Sequence, residues 1–316
     1  MGVFVFLPLV LPLTAWPVAR LAEQHLHPRA ATRLLTWVAA VMAVCSTVCL
    51  GLVMVVGTAQ LPGNPLPDGW SDPEVRAAVP YDEVVGKAAI PALLVVLVVC
   101  GRTLWRHGRV RRGAHRALSG LPGTEVVVLP DGVPYAYALP GGRRGRGRGR
   151  GRVVVTTALL ECLEPAERRA LFAHERAHLS GRHHRFLLAV RLAARANPFL
   201  RPLCTAVLYS AERWADEEAA RVVGSRRVVA GAIGKAALVS RGTPLVTVLG
   251  FAAVGPVPRR VAALLGPAPV GWRWPSLFTG VGLAAWGAAV GTAVSAMSSA
   301  NSAVTMFLIL HAATPL

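Results

Sequence analysis

The stretch Ala170-Leu171-Phe172-Ala173-His174-Glu175-Arg176-Ala177-His178-Leu179 decides how this chain is read. Two histidines four residues apart, the first followed by a glutamate, make the pattern H-E-x-x-H. On a helix, positions i and i+4 share a face, so the His174 and His178 imidazoles can reach one metal ion. Glu175 then points toward the open coordination position, where a general base can take a proton from water activated by the ion. The pattern predicts peptide-bond hydrolysis with one zinc per chain as cofactor. The local sequence supplies the helix. Pro165 suits a first turn, Ala166 to Leu179 holds good helix formers without Gly or Pro, and Gly181 is a stop. The plain alternative is a polar helix face whose histidines bind nothing.

A second motif, Glu212-Arg213-Trp214-Ala215-Asp216, supports the metal reading. A catalytic zinc takes three protein ligands and keeps one position open. Glu212, on a later helix, is the candidate third ligand. Asp216 lies one turn on and can accept a hydrogen bond from the outer N–H of a ligand histidine. Standing alone, the two carboxylates would be a solvated acidic face. His184 competes for the third position, because His174 to His184 also reads H-E-x-x-H-x-x-G-x-x-H. That class needs a Met-turn, and Met297 and Met306 sit in or beside an apolar C-terminal segment. Gly181 with His183-His184 then reads as an ordinary helix end, where cationic side chains are favourable.

These two segments resemble the integral-membrane gluzincin peptidases. The resemblance is to the BlaR/MecR-type antirepressor family, with the HtpX and CAAX-protease (Ste24-type) families as relatives, and it covers roughly residues 120 to 235. It implies that His174, His178 and Glu212 hold zinc, that Glu175 is the base, and that Asp216 supports a ligand. The beta-lactam sensors of that family carry a penicillin-binding domain after the last span. The sequence has no room for one, so antibiotic sensing is not expected.

Composition agrees with a membrane protein. The 316 residues are 53% hydrophobic, and mean hydropathy is +0.48. Four apolar runs read as spans: Val3 to Ala19, Leu34 to Ala59, Val84 to Gly101, and Ser276 to about Ala300. The first has no basic n-region and carries Pro8, Pro12 and Pro17, which favours a retained span over a cleaved signal peptide. The polar break Ser298-Ser299-Ala300-Asn301-Ser302 leaves a tail that reads as interfacial or re-entrant, with a fifth span as the alternative. The expected fold is a mainly α membrane protein. About four transmembrane helices carry a cytoplasmic α+β zincin-like domain. Residues 1–101 form a three-span region, 102–273 the peptidase domain, and 274–316 the fourth span and tail.

Arginine placement sets the topology. Arg20, Arg29 and Arg33 mark an inner loop, and Asp68, Asp72, Glu74, Asp82 and Glu83 an outer one. Arg102, Arg106, Arg109, Arg111, Arg112 and Arg116 open a second inner region. The N-terminus is therefore expected outside and the zinc site in the cytoplasm, in a bacterial cell membrane. The net charge of +18 sits mostly in that inner region, where anionic lipid would attract it.

Glu125 to Leu129, Tyr135 to Leu139 and Val153 to Thr157 read as short strands. The family resemblance implies an edge strand along the cleft. Val153, Val154, Val155 and Thr156 are therefore candidates for pairing with an extended substrate, or else an ordinary sheet strand. Gly141 to Arg152 alternates Gly and Arg and reads as a mobile loop on anionic headgroups or as a gate to the cleft. No aromatics are interleaved for stacking, so direct nucleic-acid binding is not expected. Arg185 to Ser210 reads as amphipathic pieces at the bilayer surface, and Leu245 to Val257 as a buried or interfacial segment. The five cysteines form no C-x-x-C pattern, and no disulfide is expected. No Walker or G-x-G-x-x-G pattern occurs in a strand-to-helix context.

The sequence thus points to a membrane zinc endopeptidase acting on cytoplasmic or membrane proteins. The resemblance favours regulated cleavage of a transcriptional repressor. HtpX-like membrane-protein quality control is the alternative, and a catalytically silent signal transducer is the third reading. A second electrophile for the site is not identifiable from sequence.

Overall fold

The computed structural model describes residues 7–59, 61, 82–141, 151–239, 256–269 and 278–312. The chain begins with a helical turn α1 (Leu7–Val10), a 3-10 turn (Leu11–Thr14) and a helix α2 (Ala15–His25). Pro8 and Pro12 lack an amide donor and crowd the preceding turn, so this first apolar run breaks into pieces. Residues 3–6 of the expected span lie outside the described residues, and no single helix in the rest of it is long enough to cross a membrane. Among the described residues three helices, not about four, are long and apolar enough to cross a membrane.

The first is α3 (Pro28–Ala59), the hub of the fold. Its second half packs against α4 (Asp82–Ala117), whose candidate span is Val84–Ala117. The two backbones touch where Gly57 meets Gly86. A Cβ on Gly57 would collide with the Gly86 backbone, and one on Gly86 would lie 2.7 Å from the Gly57 Cα. Glycine pairs of this kind let membrane helices approach closely.

A three-stranded sheet follows: β1 (Val126–Leu129), β2 (Ala136–Leu139) and β3 (Arg152–Thr156), in spatial order β1-β3-β2. β3 runs parallel to β1 and antiparallel to β2. After α5 (Thr157–Glu161) comes α6 (Pro165–Ser180), close to the bounds its sequence predicts. Glu164 caps α6, and the Glu167 carboxylate accepts the Glu164 amide at 2.9 Å.

The chain continues through α7 (His183–Ala196), a 3-10 turn (Pro198–Leu200), α8 (Arg201–Val223), α9 (Arg226–Val239) and α10 (Val257–Leu265). Gly224, with φ of 79°, ends α8 in the left-handed conformation that glycine adopts freely. The last helix, α11 (Gly280–Ala312), holds the third candidate span, Gly282–Thr305. It runs unbroken through Ser298 to Ser302, where a break was expected. Of that stretch Ser299 turns inward, whereas Asn301 is exposed. Ser295 and Ser299 are buried, and the Ser299 hydroxyl donates to the Cys45 carbonyl of α3 at 3.3 Å.

The largest core joins Leu35, Val38 and Met42 of α3 to Leu187 and Val190 of α7 and to Leu203 and Val207 of α8. The apolar face of α7 therefore lies against protein, where a bilayer-surface piece had been expected. Each fully buried side chain of this size is worth roughly 1.5–3 kcal/mol. Exposed ion pairs contribute about 0–1 kcal/mol each, so this apolar seam fixes α7 and α8 on α3. The Gly-Arg run at 142–150, and most of the segment expected at 245–257, lie outside the described residues.

The Gly57 contact gives a direct test. Gly57→Leu should separate α3 from α4 and lower the melting temperature of the detergent-purified protein by several degrees, whereas Gly51→Leu, where a Cβ meets nothing within 4 Å, should not. Equal melting of the two variants would refute the close crossing.

Candidate metal centre

α6 turns His174 and His178 to one face, and α8 carries Glu212 across from them. One ligand atom from each lies within 4.8 Å of the others. The two Nε2 atoms are 3.1 Å apart, and each is 3.5 Å from a Glu212 carboxylate oxygen. All three residues are buried. Two imidazole nitrogens and a carboxylate oxygen converging on one buried point suit a cation, and this donor set suits zinc. His184 is not part of the cluster.

Asp216, one turn beyond Glu212 and fully buried, meets the outer nitrogen of His174: Oδ1 is 3.1 Å from Nδ1. A carboxylate at that position fixes the ring and its tautomer. His178 has a different neighbour, His183, whose Nδ1 is 2.8 Å from the Nδ1 of His178.

The site also contains a residue that sequence reasoning missed. Arg260, on α10, is only 3% exposed and inserts between the two carboxylates of α8. Its Nε and one terminal nitrogen donate to Asp216 at 2.9 and 2.6 Å, and the other terminal nitrogen lies 3.0 Å from Glu212. Its only sequence signal is Arg259-Arg260 in a short helix far from either motif, indistinguishable from the chain's many surface arginines.

Electrostatics follow from this arrangement. Burial alone would raise the Glu212 and Asp216 carboxyls, but Arg260 outweighs it and holds both below the usual range. Burial would likewise lower His174, yet its bonds to Asp216 and Glu212 push it up to about 10. Burial dominates at His178 and lowers it. Two carboxylates against one guanidinium leave one net negative charge. A proton on His174, which its bonds to the two carboxylates favour, neutralises it. A divalent ion together with an ionised Glu175 reaches the same neutrality, so the cluster fits a dication.

Glu175 is buried beside the cluster, and burial raises it to about 7. The backbone of Ala138 in β2, the strand on which α6 packs, opposes that shift. β2 is therefore the strand against the site. The residues predicted to pair with substrate, Val153 to Thr156, are buried in β3 at the middle of the sheet. β1 and β2 already occupy both edges of β3, so it has none free for another chain. The expectation of a cleft edge strand therefore passes from β3 to β2.

Removing Arg260 should leave two buried carboxylates uncompensated. Arg260→Leu is expected to cost about 3–5 kcal/mol in thermal unfolding. Arg260→Lys should lie between, because an ammonium cannot reproduce the fork. A leucine variant that melts like wild type would refute this role.

Comparison with known proteins agrees with the site. Residues 101–200 match the model of Peptidase family M48. The match covers His174, Glu175 and His178 and ends before Glu212, Asp216 and Arg260. The chain is 37% identical over 76 residues to Protease HtpX homolog 2 of Methanosarcina mazei, covering 24% of each protein. It is 35% identical over 78 residues to Protease HtpX homolog of Persephonella marina, 25% of each. It is 38% identical over 76 residues to Protease HtpX homolog of Moorella thermoacetica, 24% of this chain and 23% of that one. The alignments thus span about a quarter of the curated relatives' length. No solved structure matches. Residues 101–200 are thus similar to peptidase family M48, about a quarter of the chain is similar to HtpX proteases, and three described helices are long and apolar enough to cross a membrane.

Proposed function

We propose that the chain is a membrane-bound zinc endopeptidase of HtpX-like type. The observation that carries this reading is the buried convergence of His174, His178 and Glu212, with Glu175 beside it; the M48 match covers the helix of His174, Glu175 and His178 and ends before that of Glu212. His174, His178 and Glu212 would hold zinc, with Asp216 and Arg260 fixing their neighbours. When bound, the ion supplies a Lewis acid that activates water and polarises a carbonyl. Glu175 takes the proton of the attacking water and returns it to the leaving amine nitrogen. Among the described residues β2 pairs only with β3, so its outer edge can receive an extended peptide, and its Ala138 backbone already interacts with Glu175.

The site lies close to the membrane helices, since α8 packs directly on α3. That favours membrane proteins, or cytoplasmic proteins docked at the bilayer, as substrates. The distribution of arginines supports a cytoplasmic site. The HtpX relatives favour quality control over cleavage of a transcriptional repressor, which rests on motif resemblance alone.

Glu175→Gln should keep one zinc per chain and lower cleavage of an unfolded membrane-protein substrate by about 10²–10⁴-fold. Chelation should abolish cleavage, and added zinc should restore it. Wild-type turnover by the glutamine variant would refute Glu175 as base. For topology, the exposed Cys162 should react with an impermeant maleimide only after cells are permeabilised. Labelling of Cys162 in intact cells would place the site outside.

A further inference from the structure

We infer that His183 is a positioning residue for the metal ligand His178, held there by Trp214. The inference rests on the zinc reading above and adds a residue to it.

The tautomers follow from geometry. The Nε2 atoms of His174 and His178 converge with Glu212, so His178 must present its Nε2 lone pair to an ion and carry its hydrogen on Nδ1. That hydrogen points at His183 Nδ1, 2.8 Å away, which therefore accepts, leaving the His183 hydrogen on Nε2. The two ligand histidines are thus held by different partners. A carboxylate holds His174 and a second imidazole holds His178.

Three further features show that the chain is built around this contact. His183 is fully buried, and its Nε2 has no hydrogen-bond partner. An apolar ring would fill the space without stranding a polar atom, so packing alone does not account for a histidine. Gly181 makes room for it: a Cβ there would lie 2.5 Å from His183 Nε2 and 2.7 Å from its Cδ2. Arg182 takes the left-handed conformation, with φ 52° and ψ 39°, and is the one non-glycine residue with positive φ among those described. Backbone strain of this kind persists where the surroundings enforce it. Here it turns the chain sharply enough to bring His183 back beneath His178.

Trp214 supplies the platform. Its ring centroid is 4.4 Å from that of His183. The guanidinium groups of Arg29 and Arg33, at the start of α3, lie 5.3 and 5.5 Å from the Trp214 ring. A membrane helix therefore anchors the tryptophan on which the positioning imidazole rests.

The test uses the full chain in detergent, with zinc affinity measured by competition against a chromophoric chelator and ligand geometry by the visible absorption of the cobalt form. His183→Ala should weaken zinc binding about 10–100-fold and alter the cobalt spectrum. His183→Asn, whose side-chain oxygen can accept the same hydrogen, should stay within about threefold of wild type and keep the spectrum. Gly181→Ala, which touches no ligand, should behave like His183→Ala. Wild-type affinity in both alanine variants, or an asparagine variant as weak as His183→Ala, would overturn the positioning role while leaving the zinc site standing. A wild type that takes up no zinc would overturn both.

Discussion

Arg260 grips Asp216 through two N–H···O contacts and reaches Glu212 with its remaining nitrogen, and the rest of the site depends on that grip. α8 carries two carboxylates one turn apart into the protein interior, where both are buried. An isolated buried carboxylate would take up a proton and become a poor ligand. With Arg260 in place both stay ionised. Glu212 can then face the imidazoles of α6, and Asp216 can fix the ring of His174. α10 is short, but its placement against α8 and α9 delivers the charge that the active face of α8 requires.

The second constraint is α3. One end contributes Leu35, Val38 and Met42 to the core that seats α7 and α8, and the other end crosses α4 at the paired glycines. A zinc peptidase domain resting beside its membrane anchor would have a core of its own. Here the largest core is shared between a membrane-length helix and the helices that carry the site. A displacement of α3 would be felt at Trp214, which bears Arg29 and Arg33 and lies within the same motif as Glu212 and Asp216.

The sequence made α6, the three strands and the pairing of His174, His178 and Glu212 legible. Each of these rests on local signals: helix formers following Pro165, short β-branched or alternating runs, and the spacing of histidines and carboxylates. What it hid depends on long-range placement. Arg260 looks like any basic residue until α10 folds against α8. His183 and His184 look alike at a helix end, and only the turn through Gly181 and Arg182 decides which one enters the site. The family resemblance implies an edge strand at β3, yet the parallel crossover from β1 puts β3 in the middle and leaves β2 at the edge of the sheet. The membrane pattern misled at Ser298 to Ser302, where the last helix continues through the expected break.

Proton and metal compete for one place in this site. The bonds from His174 to Asp216 and Glu212 favour its protonated form, because Arg260 alone cannot neutralise both carboxylates. Ligation through Nε2 requires His174 in its neutral form, so binding a dication must release that proton. Acid therefore favours the protonated, metal-free state, and affinity for zinc falls as pH is lowered. His178 behaves differently: burial lowers it and so favours its neutral form, and His183 lies against its outer nitrogen. The two ligand histidines are thus tuned in opposite senses. One couples metal binding to a proton, and the other holds a fixed lone pair toward the same point.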